Sequence, residues 1–432
     1  MVLAYKLNSR KLKSQKLSDG KRRSFQYFLI ACCVLLPWNA TAVNQGSLAD
    51  KILTRKFGRD LVESLLVKSL MEITQGNTKQ AMTTVNELIH AAPNFKLAYL
   101  IRGDLLTAQG NALETFGNSD SEGSSKPSSE EIEGLREEAR TRVDHYFSED
   151  KNHERPNLMV QLDASQAHVI VVDTVKSRLF LYKKSDNGLQ YVADYYVTIG
   201  KNGAGKATEG DKRTPLGVYF AAQKLKGPLA DMYGDAAFPL NYPNELDQHE
   251  NKKGSGIWLH GTPTDTYSRP PRASDGCVVL SNPDLKALAP ILQTGNTPVI
   301  ISNKLEWVAS DKSDLQSAEK EMLQKAIEDW RADWVSQNSD EYLSHYSKKF
   351  FYSDGGFDKW ADYKRGIQAS KPKVKIAIND VSMFSNPNVE GSVVVVNFEQ
   401  DFKSPTLQNK MRKRQYWANE NNHWKIIYEG SI

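Results

Sequence analysis

Cysteine is nearly missing from this 432-residue chain: there are three, and two of them, Cys32 and Cys33, adjoin near the N-terminus. Cys277 is then the one thiol in the rest of the sequence, so neither a disulfide framework nor a cysteine-rich zinc site can be assembled. The pattern H-E-x-x-H does not occur, and His168, His249, His345 and His423 have no partner at ligand spacing. No metal and no cofactor is expected. Gly200–Gly205 bears glycines but lacks the order G-x-x-x-x-G-K-[ST], which excludes a phosphate-cradling loop. A large charge of one sign is missing too. The net charge is +4, but residues 1–24 alone carry eight Lys/Arg against Asp19, which leaves −3 for the remainder and no electrostatic case for nucleic acid. Long apolar runs are equally scarce. The longest, Phe25 to Trp38, is broken by Pro37 and falls short of the ~20 residues a membrane span needs.

That basic start, the short apolar run and Ala40-Thr41-Ala42 have the three parts of a secretory signal peptide, assigned to residues 1–42. The expectation is export to the periplasm or cell envelope, with an uncleaved anchor as the alternative. The apolar run continues past Cys32 to Leu36, which speaks against a lipidation site there. With the leader removed, Cys277 is a lone thiol in an oxidising compartment, free or paired between chains.

Four further segments follow. Residues 47–112 carry apolar residues at helical spacing, and Gln75-Gly76-Asn77 returns as Gln109-Gly110-Asn111, a period of 34. This resembles one to two tetratricopeptide repeats, with a plain helical bundle equally open, and suggests a surface for an envelope protein partner. Residues 113–156 read as a solvated linker and a charged helix, Glu130 to Tyr146. From 157 to 305 short strands dominate, so a mainly antiparallel β domain is expected. From 315 to 432 three helices precede strands at 373–384, 391–402, 411–419 and 424–429. Helices first and a curved sheet after, with Trp330, Trp334, Trp360, Trp417 and Trp424, resembles the nuclear-transport-factor-2-like (NTF2-like) α+β cone.

The chemistry concentrates in the β domain. His260, at the end of the strand-like Ile257-Trp258-Leu259, stands seventeen residues before Cys277. A thiol with pKa near 8.5 needs a base or a cation to attack a carbonyl at neutral pH, and a fixed imidazole supplies one. The Gly261 carbonyl is a candidate to orient the ring, and the N–H groups of Gly276 and Cys277 are candidate oxyanion donors. Arg213 and Arg272 are candidates to grip substrate carboxylates, with surface salt bridging as the alternative, and Ser274 to bond the active-site backbone or brace a turn. Trp258 and Tyr242 are expected to pack.

His260-Gly261-Thr262, eleven intervening residues, then Ser274-x-Gly276-Cys277 resembles the signature of the L,D-transpeptidase (YkuD-type) catalytic domain. Asp173, Leu179-x-Leu181-Tyr182, Gly200-Lys201, Glu209-Gly210-Asp211 and Arg213-Thr214-Pro215-x-Gly217 extend the likeness over residues 165–303. The resemblance implies a metal-free enzyme of peptidoglycan stem peptides that attacks the bond after meso-diaminopimelate and forms a thioester. In it Cys277 is the nucleophile, His260 the base and Gly261 the backbone orienter. Asp275 stands where that family usually has a second histidine, which puts acceptor handling in question. With a C-terminal cone domain, this is more similar to the branch that includes L,D-carboxypeptidases of cell-shape control. Three functions are thus open: transpeptidation, trimming of tetrapeptides to tripeptides, and a non-catalytic peptidoglycan-binding scaffold.

Overall fold

A computed structural model describes residues 61–110, 116–117, 128–148, 154–186, 188–309, 314–369, 373–387 and 392–432. The expected signal peptide, the start of the helical segment and most of the linker lie outside them. No helix among the described residues is long and apolar enough to cross a membrane. The chain divides into two compact units, one ending at Arg136 and one running from Glu137 to Ile432.

The first unit is helical. Leu61–Thr74 and Thr78–Ala91 pair across the turn at Gly76, and Lys96–Thr107 follows. Leu66, Leu70 and Ile73 meet Ala81, Val85 and Leu88 in a buried seam, as the helical spacing predicts. Within the seam Glu72 accepts a 2.7 Å hydrogen bond from Thr84. The charged segment forms the helix Ser129–Phe147, two residues wider than the sequence indicates. Its residues from Glu137 onward belong to the second unit rather than to a linker.

Among the described residues the second unit holds five sheets, and the two largest pack back to back. A five-stranded sheet runs in the order Gly188–Tyr196, Arg178–Ser185, His168–Asp173, Pro298–Ser302, Gly217–Phe220. It is mainly antiparallel, as the sequence leads one to expect: three of its four pairings are antiparallel, and Pro298–Ser302 lies parallel to His168–Asp173. The run Val169-Ile170-Val171-Val172 shows no polar alternation, and the fold supplies the reason. Ile170 and Val172 face one core with Leu179, Leu181, Leu259 and Val278. Val169 and Val171 face the other way, packing with Phe180 and Tyr182 against Phe384, Val395, Tyr416 and Tyr428 of the C-terminal domain. Burial on both faces removes the period of two.

The C-terminal sheet has seven strands, in the order Gly355–Gly356, Tyr346–Tyr352, His423–Ser431, Gln408–Glu420, Val393–Lys403, Lys375–Ser385, Met159–Gln161. The helices Asp314–Ser336, Ser339–Ser344 and Phe357–Gln368 cover its concave side, where Trp330, Trp417 and Tyr342 are buried. Glu429 lies in that apolar interior and accepts from Lys413, Tyr346 and Gln415 at 2.6–2.9 Å. The boundary at 157 needs correction: Met159–Gln161 is the edge strand of the C-terminal sheet, with Gln161 opposite Met383. Arg414 Nη1 donates to both Glu245 carboxylate oxygens at 3.1 and 3.2 Å, and Tyr416 adds a 2.9 Å bond. An apolar seam and an edge strand donated across it make the β domain and the C-terminal domain one body.

Candidate active site

Strand Trp258–His260 runs parallel to Val278–Val279, with Leu259 opposite Val278 and His260 opposite Val279. Extending the register by one residue sets Cys277 beside Trp258, so thiol and imidazole stand two positions apart along neighbouring strands and share a face. Trp258 directs its backbone N–H at the sulfur. The thiol itself donates to the Gly256 carbonyl at 3.3 Å. Among the described residues no hydrogen bond joins it to the imidazole. Both groups sit at one place in the fold, with the sulfur turned to the loop before the histidine strand.

His260 is 3 % exposed. Its Nδ1 lies 2.7 Å from the Gly261 carbonyl oxygen. A carbonyl can only accept, so Nδ1 carries the proton and Nε2 presents a lone pair. The Tyr233 ring stands edge-on to the imidazole, 5.2 Å between centroids. Gly261 is tied down on its other side by its N–H, which donates to Tyr233 O at 3.0 Å. A Cβ at Gly261 would overlap Asn282 Oδ1. Asn282 braces this segment, donating from Nδ2 to Thr262 O at 2.8 Å and accepting from Asp235 N–H at 3.1 Å.

The turn before the thiol is built by hydroxyls. Ser274 Oγ donates to the Cys277 carbonyl at 2.7 Å and accepts the Gly276 N–H at 3.1 Å. Thr214 Oγ1 donates to the Gly276 carbonyl at 3.0 Å and accepts the Gly200 N–H at 2.9 Å. Two consequences follow for the expected roles. Ser274 is a turn-builder, and the Gly276 N–H is already engaged, so it is no oxyanion donor in this arrangement. The Cys277 N–H keeps that candidacy. Gly276 has φ +124°, and a Cβ there would stand 2.7 Å from the Arg213 carbonyl, so only glycine fits.

The arginines sort differently from the sequence expectation. Arg272 is exposed on its strand, and Arg213, also exposed, donates to the Ala204 carbonyl at 3.0 Å. Neither is held at the thiol. The arginine that both His260 and Cys277 sense is Arg269, half-buried, with a guanidinium nitrogen 3.1 Å from Met232 O. Nothing in the motif spacing marks it, because its proximity comes from a loop folding back. Lys206, buried and bonded to Asp211 at 2.8 Å, is the second unforeseen cation. Asp275 is exposed and lies 3.7 Å from Lys212. Tyr233 and Trp258 pack at 4.7 Å, and Tyr242 packs on Tyr219. Of the other histidines, His345 bonds Asp333 at 2.7 Å and His249 stacks on Phe351. No cluster of three metal-ligating side chains occurs among the described residues.

Burial dominates the titration of both central groups. It lowers His260 to about 4, against the Gly261 carbonyl and with help from Arg269. It pushes the Cys277 thiol up to about 11. There the Trp258 N–H works downward, Asp275 upward, and Arg269 and Lys206 downward. At neutral pH both groups are uncharged.

The family model of the L,D-transpeptidase catalytic domain matches residues 167–301, the stretch that contains the five-stranded sheet, His260 and Cys277. The chain carries an L,D-transpeptidase catalytic domain. Behind it, the Cds6 C-terminal NTF2-like domain model matches residues 322–430. Among solved structures, Bd1075 of Bdellovibrio bacteriovorus is 27 % identical, with a TM-score of 0.55, covering 65 % of this chain and 98 % of that one. The helical cell shape determining protein Pgp2 of Campylobacter jejuni is 26 % identical, with a TM-score of 0.55, covering 64 % of this chain and 95 % of that one. No curated protein matches the chain. Both structures are thus matched over nearly their whole length by about two thirds of this chain.

Proposed function

We propose that this protein is an exported cysteine acyl-enzyme of peptidoglycan stem peptides, of L,D-transpeptidase type, acting in cell wall biogenesis and cell shape. The observation that carries the reading is a half-buried lone thiol beside a buried imidazole whose proton sits on Nδ1. The likeness to a cell-shape determinant supports the setting. A rotation about the Cys277 side chain releases the sulfur from Gly256 and turns it toward Nε2.

A gap between about 4 and about 11 makes a prior transfer of the thiol proton to His260 cost roughly 9 kcal/mol, before any attraction between the resulting charges. The proton therefore moves to Nε2 as sulfur bonds the carbonyl carbon. The imidazolium then protonates the leaving amine as the C–N bond breaks, and a thioester remains. The Cys277 N–H is the donor nearest the developing oxyanion. An amine or a water takes the acyl group from sulfur and restores the thiol. A second reading, L,D-carboxypeptidase, is favoured by Asp275: an exposed carboxylate paired to Lys212 offers no second imidazole to deprotonate an amine acceptor.

The cone domain buttresses the catalytic sheet through its apolar seam. The N-terminal helices supply a surface for an envelope partner.

Muropeptide mass spectrometry on purified tetrapeptide substrate, with Cys277→Ser alongside, tests these assignments. Cross-linked dimers indicate transpeptidation and tripeptide indicates carboxypeptidation. Identical, product-free spectra from both proteins would leave only the scaffold.

A further inference from the structure

Between His260 and Cys277 the chain makes an excursion, Gly261–Ala273. It is fastened at an unexpected point. Glu138, on the helix Ser129–Phe147, is fully buried, and its Oε1 accepts from Ser268 Oγ at 2.6 Å and from Arg142 Nε and Nη2 at 3.0 Å. The Arg142 guanidinium lies 3.9 Å from the centre of the Tyr196 ring, and Tyr196 OH donates to the Arg269 carbonyl at 3.0 Å. Thr198 Oγ1 reaches the Arg269 and Pro270 carbonyls at 3.0 and 2.9 Å. The residue after Ser268 is thus held by its backbone carbonyl, while its side chain donates to the Met232 carbonyl at 3.1 Å. Met232 adjoins Tyr233, the residue that packs on His260.

A buried ion pair is weak evidence of stability, because desolvating two charges offsets much of their attraction. Its best-attested use is to specify one arrangement. Here the arrangement specified is that of the loop Gly261–Ala273. We propose that Glu138, acting through Ser268, is a positioning residue that fixes the loop so that Arg269 stands as the cationic neighbour of Cys277 and His260. This rests on the reading of Cys277 as the nucleophile. The charges facing the thiol are Arg269 from this loop, Lys206 and its partner Asp211 from the 206–211 segment, and Asp275, tied to Lys212, from its own turn. Of these only Arg269 also acts on His260. Its displacement raises the thiol's pKa and disturbs the base at once.

The test uses the full chain and measures iodoacetamide alkylation of Cys277 from pH 7 to 11, with product formation and Tm recorded for each variant. Ser268→Ala leaves the Glu138–Arg142 pair intact. It is expected to melt within a few degrees of wild type yet to alkylate about 3- to 10-fold more slowly at pH 8, the loss expected from weakening one nearby opposite charge. Product formation falls further, by about 10- to 100-fold, since misplacement near the reacting atoms is costly. Arg269→Gln slows alkylation equally, and the double variant is no slower than Arg269→Gln alone. Ser268→Thr, which keeps the hydroxyl, restores the rate. Glu138→Gln, with one acceptor oxygen retained, is the second variant and shows a smaller slowing of the same kind. Wild-type alkylation in Ser268→Ala, or losses that add in the double variant, overturns the proposal. Should the wild-type protein alkylate normally yet process no stem peptide, the functional reading falls while the alkylation series still decides this one.

Discussion

The resting state of the thiol is the quantity most open to attack. Burial raises Cys277 from 9.0 to about 11, two pKa units that correspond to about 2.7 kcal/mol against the thiolate. At pH 7 about one sulfur in 10⁴ is then ionised. His260, at about 4, is neutral over the same range and contributes no charge to hold a thiolate. Alkylation by iodoacetamide should accordingly climb about tenfold per pH unit from 7 to 10 and level off near 11, since only the thiolate reacts. Replacing His260 by Ala should change alkylation at pH 8 by less than about threefold, while slowing thioester formation with a stem peptide by about 10²–10⁴, the loss for a positioned general base. The contrast between the two assays is the decisive feature. A preformed thiolate–imidazolium pair would instead alkylate at a nearly constant rate between pH 5 and 8 and lose that rate in His260→Ala. That outcome would refute the assignment of a neutral pair and place the thiol on the imidazole in the resting enzyme.

Two further expectations come from the same site. Gly276→Ala strains a residue at φ +124° and sets a methyl 2.7 Å from the Arg213 carbonyl. It should destabilise the protein by about 2–4 kcal/mol and abolish thioester formation, with chemical denaturation and intact-mass analysis as the checks; unaltered stability would remove the close approach inferred for this turn. His260 links stability to acid. Its folded pKa of about 4 lies below the unfolded 6.5, so the unfolded chain binds the proton first and stability is lost as pH falls from 6.5 to 4, by up to about 3 kcal/mol. Comparing urea midpoints of wild type and His260→Gln across that window isolates this contribution, and parallel curves would contradict it.

Much of the architecture was readable without coordinates. Strong local signals mark the elements: apolar residues at helical spacing in 61–91, β-branched runs at 169–172 and 299–301, and the long strands after 373. The candidate pair His260 and Cys277 was legible because scarcity itself is a signal, one thiol following one strand-end histidine. Two local details followed equally well. The Gly261 carbonyl orients the ring because it is the next residue, and Ser274 braces the turn because it lies within reach of its own loop.

Long-range pairing escaped that reading, since side-chain chemistry gives no account of which distant segments meet. The three residues Met159–Gln161 look like part of the catalytic domain until Met383 is found opposite Gln161. The helix from Ser129 looks like a charged linker until Glu138 is seen buried on Ser268, 130 residues away. Arg269 carries no motif, and its nearness to the thiol depends on the loop being held at both ends. The amino-acid order alone therefore determined the elements, the candidate pair and the need for glycine at 276. Tertiary structure decided which cation faces the sulfur, where the thiol rests and how far burial moves both pKa values, because desolvation and charge proximity are properties of packing.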